Sequence, residues 1–156
     1  MLEITPLGSP VMRLEHLVLD FNGTLAVDGV LIHGVAERID RLAAHLTLHV
    51  VSGDTFRTAR AALTNLACQL VVLPARDQAK AKRAYVERLG PAATACIGNG
   101  ANDRLMMECA SLAIAVIQPE GAAVATLQVA HIAVARVLDA LDLLLNPLRL
   151  VATLRR

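Results

Sequence analysis

The chain has 156 residues, of which 55% are hydrophobic and 19% charged, and a formal net charge of +1. That length suits one domain, and the balance excludes a disordered tail, a collagen-like repeat and a Pro-rich linker. With aromatic residues at 2% there are few rings on which to stack bases, and the near-zero charge makes no field to collect polyanions, so no nucleic-acid and no membrane partner is expected.

Leu2–Ile4 and Val11–Leu14 read as short edge strands of a hairpin, followed by a first core strand, Leu17–Asp20. The segment Ala26 to Gly34 reads as a small hairpin turning at Asp28-Gly29, placed to overhang the end of a sheet. Val35, Ile39, Leu42 and Leu46 follow helical spacing, a second strand runs Leu46–Val51, and Phe56, Ala59, Leu63 and Leu66 mark another helix. A third strand, Leu70–Leu73, precedes a helix through Ala81, Tyr85 and Leu89, with Asp77 as its N-cap and Gly90-Pro91 as its stop. Strands four and five are Ala95–Gly98 and Leu112–Val116, with helical spacing at Leu105, Met106 and Cys109 between them. A sixth strand spans His131–Ala135, and helices at Val137–Leu145 and Leu148–Leu154 would close the sheet edge. This alternation predicts an α/β fold, a doubly wound parallel sheet, as one domain over residues 1–156.

Three cysteines, Cys68, Cys96 and Cys109, lie far apart in apolar runs, as reduced core thiols do, and a cytoplasmic protein is expected. The amino terminus lacks a basic start followed by an apolar run. The longest uncharged segment, between Glu120 and Arg136, is shorter than the ~18 residues of a membrane helix. The five histidines show no ligand spacing and read as structural or surface groups.

In an open parallel sheet ligands bind beyond the carboxyl ends of the strands. Four polar groups fall there: Asp20-Phe21-Asn22-Gly23-Thr24-Leu25 after strand one, Ser52-Gly53-Asp54 after strand two, Lys80 and Lys82 on the helix after strand three, and Gly98-Asn99-Gly100-Ala101-Asn102-Asp103 after strand four. A carboxylate, a hydroxyl, an ammonium and a second carboxylate would share one crevice. Each also has a bland reading: Asp20 as a turn residue, Ser52 as a turn cap, the lysines as a solvated helix face, and Asn102 or Asp103 as the N-cap of the next helix. Asp54 is equally a helix cap or a site residue. A dinucleotide loop at Gly98-Asn99-Gly100 is disfavoured, because the third glycine position holds Asp103.

In order and spacing these four segments resemble the motifs of the haloacid dehalogenase (HAD) superfamily over nearly the whole chain, and Ser52-Gly53-Asp54 is similar to the corresponding Thr-Gly-Asp of P-type transport ATPases. The resemblance implies a HAD-like Rossmannoid fold without a large cap domain, since the hairpin and one helix fill the stretch between Asp20 and Ser52. It implies Asp20 as the nucleophile that forms an aspartyl phosphate, and Lys82, favoured over Lys80 by its distance to the fourth motif, as the neutralising ammonium. Gly23, Thr24, Ser52 and Gly53 would hold the phosphorylated substrate through backbone N–H groups and the Ser52 hydroxyl. Asp20, the carbonyl of Asn22, Asn99 and Asp103 would hold Mg²⁺, a hard cation that takes oxygen ligands and screens the phosphoryl charge. Two positions depart from the family pattern. Asn22 stands where the acid–base aspartate would be, and Asn99 replaces the first aspartate of the fourth motif, so slow turnover and weak metal binding are expected. The implied function is a slow Mg²⁺-dependent phosphatase or phosphoryl-transfer hydrolase. The alternative is a degenerate HAD fold acting as a regulatory or assembly module. The uncapped site and the apolar Val27, Val30, Leu31 and Ile32 of the Ala26 to Gly34 hairpin suggest a homo-oligomer with the hairpin against a partner chain or the substrate.

Overall fold

The computed structural model describes residues 1–53 and 58–156, and the expectations placed on Asp54 and Phe56 lie outside the described residues. Strands β1 (Leu2–Ile4) and β2 (Met12–Leu14) pair antiparallel, Leu2 opposite Leu14. Strand β3 (His16–Asp20) follows, then a hairpin of β4 (Ala26–Val27) and β5 (Val30–Leu31). Its turn residues Asp28 and Gly29 both have positive φ, 52° and 77°, the type I′ geometry that suits two-residue hairpins. Helix α1 (Val35–Ala43), β6 (Thr47–Ser52), α2 (Thr58–Leu63), β7 (Gln69–Val72) and α3 (Gln78–Leu89) come next. The chain ends with β8 (Thr94–Gly98), α4 (Arg104–Cys109), β9 (Leu112–Val116), α5 (Val124–Leu127), β10 (Ile132–Val134), α6 (Val137–Leu145) and α7 (Pro147–Leu154).

The main sheet has the order β10-β9-β8-β3-β6-β7, and its pairs are parallel, as the alternation of strand and helix requires. Period-two alternation splits the core into two layers. Leu17 and Leu19 of β3 pack with Ile39 and Leu42 of α1 and with Leu141 and Leu144 of α6. Val18 points the other way, toward Tyr85 and Val86 of α3 and Met106 of α4. Helices therefore cover both faces, the doubly wound arrangement expected from the sequence.

Two local expectations change. Helix α6 packs on α1 and against β9 and β10, so it covers a face of the sheet; α7 lies against β1. Asp77 stands at the N-cap of α3 as expected, but in the left-handed region (φ 55°) and without a capping bond from its carboxylate. Among the described residues the cysteines form no disulfide, and no helix is long and apolar enough to cross a membrane.

Candidate active site

The strand order places β3 in the middle, with the chain moving to β6 on one side and to β8 on the other, so a crevice opens where the direction of winding reverses. Register brings the polar ends together. Asp20 pairs with Val51, one residue before Ser52, and Leu19 pairs with Ile97, one residue before Gly98. Asp20 has the parity of Val18 and so faces α3. There Lys82 shares a helix stripe with Tyr85 and Val86, three and four residues on, and the stripe carries it into the sheet.

Lys82 is 1% exposed, and its Nζ donates to Asp20 Oδ1 and to Asp103 Oδ1, each at 2.6 Å. Lys80, the other lysine of that helix, is exposed. Burial works to lower the Lys82 pKa, but the two carboxylates outweigh it and the value moves up, so the ammonium stays charged. Burial, with Asp103 beside it, raises the Asp20 carboxyl from 3.8 to about 7 against the opposing pull of Lys82. With two carboxyl groups facing one ammonium, a second negative charge at the wall of the crevice is fully present only once Asp20 loses its proton, above about pH 7.

The crevice is a pocket of about 230 Å³ walled by Asp20, Asn22, Ser52, Gly53, Gln78, Asn99, Gly100, Asn102 and Glu120. Five of the residues given site roles from the sequence stand there, Asp20, Asn22, Ser52, Gly53 and Asn99, together with Gly100 and Asn102 of the fourth segment. Gly23, Thr24 and Asp103 stand behind the wall. Thr24 is fully buried and its Oγ1 lies within hydrogen-bonding distance of Asn99 Oδ1 (3.1 Å) and Asp20 Oδ2 (3.3 Å). The Gly23 N–H already donates to the Ala26 carbonyl at 2.8 Å, and the Thr24 N–H donates to the Phe21 carbonyl, so neither amide is open to a phosphoryl oxygen. Asp103 is fully buried. One oxygen accepts from Lys82 and the other from the N–H groups of Asn99 and Gly100, both at 2.9 Å, so it anchors the ammonium and the loop after β8. Gly98 makes this possible: a Cβ there would sit 2.6 Å from the Asp103 carboxyl carbon.

Three wall or buttress residues carry no local sequence signal. Gln118, at φ 49°, donates from Nε2 to the carbonyls of Gly23 (2.8 Å) and Thr24 (2.7 Å) and accepts from the Val137 N–H, tying the loop after β3 to the start of α6. Gln78 accepts from Asn102 Nδ2 at 3.1 Å and presses on Gly53, where a Cβ would lie 2.3 Å from its amide nitrogen. Glu120 reaches from the loop after β9 and accepts the Asp28 N–H at 3.1 Å. The Ala26 to Gly34 hairpin overhangs the sheet end as expected, but Leu31 and Ile32 pack on the chain's own core, leaving Val30, 71% exposed, as its outward apolar side chain.

Among the described residues no cluster of three or more His, Cys, Asp or Glu side chains is grouped to hold a metal ion. The pocket nonetheless offers oxygen donors from Asp20, Asn22 and Asn99, a donor set that suits a hard divalent cation held largely through water. The amide of Asn99 is engaged at both ends, its oxygen by Thr24 and its nitrogen as donor to the Gly121 carbonyl at 3.0 Å.

No protein-family profile matches the sequence. An uncharacterised protein of Methanocaldococcus jannaschii is 52% identical over 59 residues, 38% of this chain and 63% of the relative's length. Among solved structures, the cobalt-bound deoxy-D-mannose-octulosonate 8-phosphate phosphatase of Haemophilus influenzae matches with TM-score 0.71 and 16% identity, over 86% of this chain and 89% of that one. The 3-deoxy-D-manno-octulosonate 8-phosphate phosphatase of Moraxella catarrhalis, solved with magnesium, phosphate and KDO, matches with TM-score 0.65 and 18% identity, over 91% and 94%. A Streptomyces avermitilis protein assigned to the HAD hydrolases matches with TM-score 0.64 and 20% identity, over 83% and 81%.

Proposed function

We propose that this chain, which carries the fold of the HAD-family hydrolases, is a slow Mg²⁺-dependent phosphatase or phosphoryl-transfer hydrolase working through an aspartyl phosphate at Asp20. The observation that carries the reading is the Asp20–Lys82–Asp103 cluster at the carboxyl end of the central strand, opening on a small polar pocket. Asp20 Oδ1 is bound to Lys82, and Oδ2, which lies 3.3 Å from Thr24 Oγ1, would be the oxygen that attacks phosphorus. Lys82 neutralises charge on Asp20 and on an incoming phosphoryl group, and Asp103 holds it there. Ser52, at the neighbouring strand end in the pocket wall, would donate to a phosphoryl oxygen. Mg²⁺, when bound by Asp20, Asn99 and the Asn22 carbonyl, would screen the repulsion between a carboxylate and an anionic phosphoryl group.

The substrate class is a phosphomonoester that fits an uncapped opening. A partner chain covering the opening through the Ala26 to Gly34 hairpin belongs to this proposal, as does a cytoplasmic home. The rival, a degenerate fold with a regulatory or assembly role, draws support from the neutral Asn22 and from the double engagement of the Asn99 amide. A screen of phosphorylated metabolites with and without Mg²⁺ decides between them. The proposal expects release of inorganic phosphate that Asp20→Asn abolishes; turnover that survives Asp20→Asn rejects it.

A further inference from the structure

We infer that Glu120 is the proton donor to the leaving group, and the proton acceptor for the water that follows, in the phosphoryl transfer proposed above, on which this inference rests. An alkoxide expelled from phosphorus needs a proton, and few groups near Asp20 can supply one. Asp20 itself makes the bond to phosphorus. Lys82 is sealed between two carboxylates at 2.6 Å, and Asp103 is fully buried with both oxygens engaged. Asn22 carries an amide, which transfers no proton in either direction.

Glu120 is placed differently. A second pocket, of about 390 Å³, adjoins the first and is lined by Asn22, Asp28, Gly29, Thr58 and Glu120. Among the described residues Asn22 and Glu120 are the two that wall both pockets, and Glu120 is the ionisable one. With a phosphoryl group against Asp20 in the first pocket and the rest of the substrate in the second, the scissile P–O bond crosses the boundary that these two residues mark. The Glu120 carboxylate is also positioned there. Its Oε1 accepts the Asp28 N–H, and a Cβ on Gly23 would lie 2.9 Å from its Oε2, so the bare glycine is what admits it. Its own turn is fixed: the Gly121 N–H donates to the Gln118 carbonyl at 3.0 Å, and the Gln118 side chain holds the loop after β3.

The steps balance. As an Asp20 oxygen bonds to phosphorus, the P–O bond to the leaving group breaks and the Glu120 carboxyl proton passes to the departing oxygen. The Glu120 carboxylate then takes a proton from water whose oxygen attacks phosphorus. The bond to Asp20 breaks, leaving free Asp20 carboxylate, inorganic phosphate and protonated Glu120.

The test is kcat/KM for a series from 4-nitrophenyl phosphate to simple alkyl phosphates, measured on wild type, Glu120→Gln and Asp20→Asn. Glutamine keeps an oxygen for the Asp28 N–H, so the variant retains its loop. A departing nitrophenolate needs no proton and an alkoxide does, so Glu120→Gln is expected to lose ~100-fold or more on alkyl phosphates and less than about 3-fold on the nitrophenyl ester. Wild-type rates throughout, or an equal fall for every leaving group, overturn the inference; the equal fall assigns Glu120 to metal or loop positioning. With either result, an inactive Asp20→Asn leaves the phosphatase reading standing. Full activity of Asp20→Asn, or no turnover by wild type on any ester, overturns that reading and this inference together.

Discussion

On the strand side of the pocket, Asp20, Lys82 and Asp103 are 8%, 1% and 0% exposed and hold one another at 2.6 Å; on the loop side, Asn22 and Glu120 stand in solvent. The contrast concerns what each side can lose. The buried charges are part of the packing between β3, α3 and the loop after β8, so removing one leaves its partners desolvated and unpaired. The loop side carries little of that burden, and a neutral amide at Asn22 leaves the fold intact.

The largest break in that comparison is Lys82→Met. It is expected to cost about 3 to 5 kcal/mol, read as a lower urea midpoint, because two buried carboxylates then face each other without a cation. A loss below 1 kcal/mol would show that the cluster is not structural. Next come two glycines. Gly98→Ala drives a Cβ into the rigidly held Asp103 carboxyl group and should cost ~1 to 3 kcal/mol, whereas at Gly53 the obstacle is the flexible end of Gln78, so Gly53→Ala should cost less than ~1 kcal/mol. Equal losses at the two sites would remove the distinction between a locked and a yielding wall.

Two groups then give opposite pH slopes in the metal-free protein. Because burial and Asp103 raise Asp20 to about 7, the fold keeps a proton that the unfolded chain releases near pH 4, so stability falls as pH rises between about 4 and 7. Burial, together with neighbouring His16, lowers His49 from 6.5 to about 4, so the unfolded chain binds the extra proton and stability rises over that range. Urea midpoints from pH 4.5 to 7 should rise with pH in Asp20→Asn and fall in His49→Gln, with wild type flatter than either. Parallel profiles for the three proteins would contradict these assignments. The smallest effect is at the hairpin: Val30→Ser should change stability by no more than ~0.5 kcal/mol, since Leu31 and Ile32 carry the packing. Light scattering on that variant tests the hairpin as an interface; a mass equal to that of wild type, with wild type larger than a monomer, places the contact elsewhere.

Much of the strand side was readable from the chain. Apolar runs end in Asp20, Ser52 and Gly98, and a parallel sheet gathers such ends; distance to the fourth motif favours Lys82, and its place on the buried stripe of its helix emerges only in the fold. Burial itself is what left that trace, because a charge inside a sheet must interrupt an apolar pattern at a particular place. On the loop side Asn22 is legible through its motif, but its neighbours left no such trace. Glu120 and Gln118 lie in a turn with no periodicity, and they reach Asp28, Gly23 and Thr24 across more than 90 residues of sequence. Asp103 and Thr24 show the converse failure. Their motif positions are plain, but which way each carboxyl or hydroxyl points depends on Lys82, Gly98 and Asn99, whose approach only the folded chain defines. The His16–His49–Tyr85 chain of ring contacts, likewise, assembles from β3, β6 and α3 and has no spacing to announce it.

The claim on which the rest depends is that Asp20 accepts a phosphoryl group. Incubation with an aryl phosphate labelled on phosphorus, an acid quench and peptide mapping test it directly. The account predicts label on the peptide holding Asp20, released by hydroxylamine as an acyl phosphate must be, and absent from Asp20→Asn. Phosphate release without covalent label, or label that persists in Asp20→Asn, would contradict it.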